Sequence, residues 1–296
     1  TSILQFEIFN LHFALAAAMR FLPVVIFLAF CLIPAAKSFG LEQVLRVSDG
    51  KTVAFDQMIE DIKGAELVFV GEVHSNLKHH KAQLKIIKAL NESKIPMAIG
   101  VEMFRAGSQK ELDQWVDGTM SLGVFVGVYN ANWGMPWPWY MNIFKYARQF
   151  DIPVIGLNLP SELTEKVARH GFEALTGDEL KQLPPQLDFD IDDGYRAHVR
   201  KAFEAHGEND KSFDNFCKAQ MIWDKTMAYY LMTFLKKNPG KTVVVLAGAD
   251  HSAGKGIPNQ IKKQSQYRYK VILPQQPGRF ESTTTTTADA DYLMPE

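Results

Sequence analysis

The sequence predicts an α/β fold, with a mostly parallel central sheet flanked by helices and an additional helical subdomain. Three observations predict it. Four short apolar runs, Leu67 to Val70, Met97 to Val101, Ile152 to Leu157 and Thr242 to Ala247, have the composition of strands buried on both faces. Each run passes into a polar loop and then into apolar residues at helical spacing, the alternation that parallel strands need for their crossovers. Two of the runs, far apart in the chain, lead directly into the same tetrapeptide pattern, Gly71 to His74 and Gly248 to His251.

Length and composition bound the rest. With 296 residues the chain can build a sizeable core, and 47% hydrophobic with 22% charged residues is ordinary globular usage. A net charge of -1 without a long basic run argues against nucleic acid as the main partner. Met19-Arg20, the apolar stretch Phe21 to Ile33 and the small residues Ala36 and Ser38 form a secretory signal, with cleavage after Ser38 and a start at Met19. Cys31 invites a lipoprotein reading, but Phe30 stands where a lipid-attachment signal wants a small residue. Removal of residues 1–38 leaves Cys217 alone, so the secreted core is expected to stand without an internal disulfide, as suits a bacterial periplasm. Residues 39–296 then form a single domain with a helical insertion at about 176–238.

In chain order, Thr52 to Phe55 reads as a short strand entering a small helix. Leu67 to Val70 is the pivotal strand, and Gly71 frees the backbone before Glu72 and His74. Read alone, that turn holds a solvated glutamate and a capping histidine. In an open α/β sheet the same position is the ligand-binding rim. Leu77, Leu84 and Ile87 set the inward stripe of the next helix, with His80 on it and His79 one position round. The second strand ends in Glu102 and Arg105, again on the rim, and Ser108 begins a helix through Trp115. Val124 to Val128 reads as a further strand or an irregular stretch. Asn130 to Tyr140 carries three Trp, two Pro and one Gly and is expected to be an ordered loop, either a hydrophobic lid or the wall of a pocket for a flat apolar ligand.

After the third strand, Ser161 reads as the N-cap of a helix that stops at Gly171. Asp188, Asp190, Asp192 and Asp193 lie in a solvated connection that lacks the glycine and glutamate spacing of a calcium loop. Phe213 to Lys237 is a long amphipathic helix whose stripe runs through Phe216, Gln220, Trp223, Met227, Tyr230 and Phe234, with Asp224 beside it. The fourth strand leads to Asp250 and His251, Tyr269 to Leu273 is a final strand, and Ala290 to Leu293 returns as an edge strand.

If the two strands that carry Gly-x-x-His are parallel neighbours, about 4.8 Å apart, His74 and His251 share a site. Glu72, Glu102 and Asp250 would add carboxylates. Two histidines with one or two carboxylates suit a divalent metal such as Mn, Co or Zn, with His74, Glu72, Glu102 and His251 as ligands. Such a centre would be a hydrolase with His74, Glu102 and His251 as catalytic residues.

The same residues resemble the ChaN-like haem-binding uptake family. The resemblance rests on Gly-Glu-Val-His74, His79-His80 with Gln83, Ile-Gly-Val-Glu102-Met-Phe, Asn132-Trp133 before Tyr140, Gly156-Leu-Asn158, Asp224 before Met227-Ala228, and Gly248-Ala-Asp-His251 with Gly256-Ile-Pro258. It continues to Ala-Asp291-Tyr292 and covers roughly residues 52–294. The family lies in a wider group with TIKI proteases and erythromycin esterases, which share the Gly-x-x-His pair. What the resemblance implies is a periplasmic or lipid-anchored protein that binds haem during iron uptake, works with haem-transport components, and dimerises to bring two sites together. It implies a tyrosine ligand, which favours ferric iron. Tyr140 is the expected ligand and Tyr195 the reserve, with Tyr129 also in the region. His80 and Trp133 would line the haem site, and Arg105 or Arg148 would lower the phenol or pair a propionate.

Overall fold

The structure is a computed structural model that describes residues 42–185, 187, 191–205 and 212–295. The predicted signal segment, with Cys31, lies outside the described residues, as do Asp188 and Asp190.

The chain enters through an antiparallel pair, β1 (Gln43–Arg46) and β2 (Lys51–Ala54), and α1 (Phe55–Ile62). Then follow β3 (Leu67–Glu72), α2 (Leu77–Glu92), β4 (Met97–Arg105), α3 (Gln109–Val116), α4 (Leu122–Asn132), α5 (Trp137–Gln149) and β5 (Val154–Asn158). After β5 come α6 (Ser161–His170), α7 (Gly177–Leu180), α8 (Asp193–Ala205) and α9 (Phe213–Lys237). The chain then forms β6 (Thr242–Gly248), α10 (Ala249–Ser252), α11 (Ile257–Lys262), β7 (Tyr269–Pro274) and β8 (Tyr292–Met294).

All eight strands join one sheet in the order β2-β1-β8-β7-β3-β6-β4-β5. From β8 to β5 every pairing is parallel, so the fold class is the one the sequence predicts. Leu67 to Val70 and Val243 to Ala247 are fully buried because helices cover both faces of the sheet. One face packs on a core that includes Met58, Ile86, Phe104 and Phe144, and the other on one that includes Met227, Leu231 and Ile257.

Several local expectations change. Val124 to Val128 is helical: the Ser121 side chain accepts the Val124 N–H and caps α4, and Phe125 stacks on Trp115 with ring centroids 4.2 Å apart. The aromatic stretch is only partly a loop. Pro138 falls in the first turn of α5, where its missing N–H is harmless, so the helix starts at Trp137. Pro160 occupies the cap position expected for Ser161.

The inward face of α2 runs through His80, Gln83, Ile87 and Leu90, and Leu77 is exposed. In α9 the buried face is turned by about one position from the predicted stripe, to Cys217, Met221, Asp224, Ala228 and Leu231. Periodicity locates an apolar stripe only to about one residue when, as in α9, apolar side chains surround most of the helix. Finally, β8 is interior, paired antiparallel with β1 and parallel with β7, because β1 and β2 extend the sheet beyond it.

Candidate functional site

Register creates the site. β3 and β6 are parallel neighbours with Gly71 opposite Ala247 and Glu72 opposite Gly248, so both Gly-x-x-His turns leave the sheet at the same end. β4 lies on the other side of β6 and brings Glu102 to that end. Gly71 is required here by close approach: a Cβ would stand 2.7 Å from Leu273 Cδ2 and 3.0 Å from the Ala249 backbone.

Two similar side-chain relays flank Glu102. In the first, the Tyr140 hydroxyl donates to Glu72 Oε1, and His74 Nδ1 lies 2.8 Å from the same oxygen. His80 Nε2 is 3.3 Å from Glu72 Oε2, and its ring lies against Tyr140 with centroids 4.1 Å apart. Burial alone would raise the Glu72 carboxyl, but the hydrogen bonds and charges of His74 and His80 outweigh it and hold the group at about 2. For His74, burial works against protonation and the Glu72 partner raises the imidazole above its ordinary value.

In the second relay the Tyr195 hydroxyl donates to Asp224 Oδ2 at 2.8 Å, and His251 Nδ1 lies 2.7 Å from Asp224 Oδ1. Burial would lower His251, but the charge and hydrogen bond of Asp224, with Glu102 and Asp250 beyond, raise it to about 9. Between the relays Glu102 Oε2 accepts the Gly248 N–H at 2.7 Å, and Oε1 lies 4.0 Å from His251 Nε2. A Cβ at Gly248 would stand 3.3 Å from His74 Cε1 and 3.4 Å from Nε2, so that ring edge lies close to the Gly248 backbone.

The structure therefore gathers Glu72, His74, His80, Glu102, Tyr140 and His251 at one rim, and joins Tyr195 to it through Asp224. Trp133 meets His74 edge-on with centroids 5.1 Å apart. Arg105 points elsewhere, with its guanidinium 3.6 Å from Glu162 and its backbone N–H donated to Asn132 Oδ1. Arg148 donates to the carbonyls of Gly118 and Met120.

The tyrosines do not suit iron as expected. Tyr129, Tyr140 and Tyr195 are fully buried, and their hydroxyls donate to Met135 O, Glu72 and Asp224. Burial first, with the neighbouring carboxylates, pushes all three phenols far up, so they keep their protons. The four-residue metal set also does not form: among the described residues no three His, Cys, Asp or Glu side chains are placed to hold a metal ion. The oxygens of Glu72 are directed to His74, Tyr140 and His80.

Asp224 is the functional side chain that sequence reasoning placed least well, because the predicted stripe of α9 put it at the margin of the buried face. A second cluster also went unforeseen. Arg279 Nε donates to Asp250 Oδ1 at 2.6 Å and Nη2 to His198 O at 3.1 Å, while His198 Nε2 lies 2.9 Å from Asp250 O. This clamp takes up the Asp250 carboxylate and closes the His251 side of the rim. Burial, then the charge of Arg279, lowers His198.

A family described as haem-binding uptake, Tiki superfamily, ChaN, has a model that matches residues 58–261. The chain belongs to this family. The matched span runs from α1 to α11 and contains every residue of both relays. Among solved structures, ChaN of Campylobacter jejuni, described with cofacial haem binding, aligns with a TM-score of 0.67 at 20% identity over 85% of this chain and 95% of that one. That likeness shows a shared fold. A mutant of erythromycin esterase EreC in its open conformation gives a TM-score of 0.47 at 14% identity, covering 74% of this chain and 72% of that one. The type III effector HopBA1 gives 0.49 at 12% identity, covering 81% and 91%. Neither score is high enough to carry an argument about this chain. No curated protein matches the sequence.

Proposed function

We propose that this chain is a haem-binding protein of iron uptake, acting in the periplasm after loss of its signal segment, and that haem lies on the sheet rim beside Trp133. Family membership supplies the class of ligand. The position is supported by two exposed apolar side chains close to His74 in sequence, Val73 and Leu77, and by the Trp133 ring against His74. A cavity of about 230 Å³ lined by Lys255, Lys262, Tyr269 and Asp289 lies on another part of the surface, and it is small beside the roughly 300–1,000 Å³ of enclosing ligand sites. An open-faced porphyrin leaves one face for a second copy, which is the support for a homodimer. Bound haem supplies iron as cargo, and the protein supplies an apolar seat and a donor. Titration of the purified protein with hemin tests the reading: a saturable Soret shift supports it, and spectra identical to free hemin refute it.

One observation favours a second reading. His74 and His251 are each oriented by a buried carboxylate, His251 Nε2 lies 4.0 Å from Glu102 Oε1 and His74 feels the Glu102 charge, an arrangement able to take and return protons in ester hydrolysis without a metal. Turnover of an activated ester, abolished in Glu102→Gln, supports that reading; no turnover above a buffer blank removes it.

A further inference from the structure

Independently of the haem reading, we propose that the cavity of about 230 Å³ beside α11 binds a small organic carboxylate, held by Lys262 and the Tyr269 hydroxyl. It is a different place from the rim. Tyr269 pairs with Leu67 at the start of β3, about 16 Å before Glu72 at about 3.3 Å per residue. At about 30 Å³ per water the cavity has the volume of roughly seven waters, which is enough for a compact acid.

Three walls enclose it. Tyr269 and Val271 are alternate residues of β7 and so share a face, the one that α11 covers. Asn259 and Lys262 stand one helical turn apart on α11, with Lys255 just before it. The third wall, Thr287 to Asp291, is pinned in place. The Gly254 N–H donates to Asp289 O at 2.7 Å, and the Asp291 N–H donates to Val271 O at 2.8 Å. The Val271 N–H returns to Asp291 Oδ2 at 2.8 Å. Gly254 permits this close approach, since a Cβ there would collide with Ala288 O.

The hydrogen-bonding capacity left over in these walls is that of donors. Asp289 Oδ2 accepts from the N–H and the hydroxyl of Thr286, and Oδ1 lies 3.3 Å from Lys255 Nζ. Asp291 gives Oδ2 to Val271, and its Oδ1 lies 3.4 Å from Lys270 Nζ. The Asn259 amide is bonded to Asp192. Among the described residues, the Lys262 ammonium and the Tyr269 hydroxyl have no polar partner. Burial, then the charge of Asp291, raises the Tyr269 phenol, so it keeps its proton and stays a donor. A cation and an O–H facing one space suit a carboxylate, and Val271, Ala288 and Ala290 offer apolar surface to a short body. A phosphate dianion fits less well, because Asp289 and Asp291 stand in the same walls and repel its second charge.

The test is a fluorine NMR titration of the full chain with para-fluorobenzoate, beside the uncharged para-fluorobenzamide and inorganic phosphate as a competitor. Wild type is expected to give a saturable response to the benzoate and none to the amide. Lys262→Gln is expected to weaken the benzoate about tenfold, and Tyr269→Phe about threefold, both with unchanged circular dichroism spectra. Lys78→Gln, which removes an exposed lysine on α2 beside the rim, is expected to leave the affinity unchanged. Absence of a saturable response in wild type, equal binding by Lys262→Gln, or equal binding of the amide overturns the proposal. Displacement of the benzoate by phosphate at lower concentration than the benzoate itself needs overturns the carboxylate assignment.

Discussion

The two relays use the same parts for different ends. Each runs from a buried tyrosine through a buried carboxylate to a histidine at the end of a Gly-x-x-His turn. Yet the side chain of His74 is 33% exposed and that of His251 only 12%. The first relay opens onto Val73, Leu77 and Trp133, whereas the second is shut in by Trp223, His198 and the Arg279–Asp250 pair. The difference teaches that the tetrapeptide fixes where a histidine stands and its neighbours decide what it can do. The closed relay is expected to matter for stability and the open one for binding.

The largest effect is expected where the closed relay is broken. Asp224→Ala leaves a buried imidazolium without its partner and is expected to cost about 3–5 kcal/mol, read as a lowered urea midpoint. His74→Ala leaves Glu72 with Tyr140 and His80 as partners and is expected to cost less, about 1–3 kcal/mol. Equal costs would erase the distinction between the two relays.

The next effect is a pH dependence carried by the histidine of the closed relay. His251 is faced by Asp224 from α9, Glu102 from β4, its neighbour Asp250, and His74 across the rim. Its folded value of about 9 lies above the ordinary imidazole value of about 6.5. A raised folded value means that the stabilisation is fully present below about pH 6.5 and is lost as pH rises through about 9. Unfolding free energy should therefore fall across that window, by at most about 1.4 kcal/mol per pH unit for one proton. Asp224→Asn should flatten the slope; an unchanged slope would assign it to other groups.

The smallest effect sharpens the open side. Leu77→Ser removes exposed apolar surface that a porphyrin would cover and should weaken hemin about tenfold, equivalent to about 1.4 kcal/mol. The urea midpoint should not move, because Leu77 is exposed on α2. A lowered midpoint with unchanged hemin affinity would place the side chain in the fold and not in the site.

Much of this architecture was legible in the residues. The apolar runs gave the parallel strands, and the repeated Gly-x-x-His correctly implied that β3 and β6 lie side by side. Local pattern failed where tertiary partners decide. Val124 to Val128 has β-branched strand composition, but Ser121 caps it as a helix and Trp115 gives Phe125 a stacking partner. Asp224 was hard to place because α9 is apolar around most of its circumference, and His251, its partner, enters from another element. Tyr140 was legible as a site residue beside the aromatic stretch, but its direction was not: only the packed structure turns its hydroxyl inward to Glu72. The clamp of Arg279 on Asp250 joins residues on separate elements and has no local signature at all.

The contrast between the relays is tested most directly by parallel hemin titrations of His74→Ala and His251→Ala at neutral pH, each checked for folding by circular dichroism. The account predicts that the first variant loses the wild-type Soret shift and the second keeps it with wild-type affinity. Loss of the shift in the second variant, with the first binding as wild type does, would contradict it.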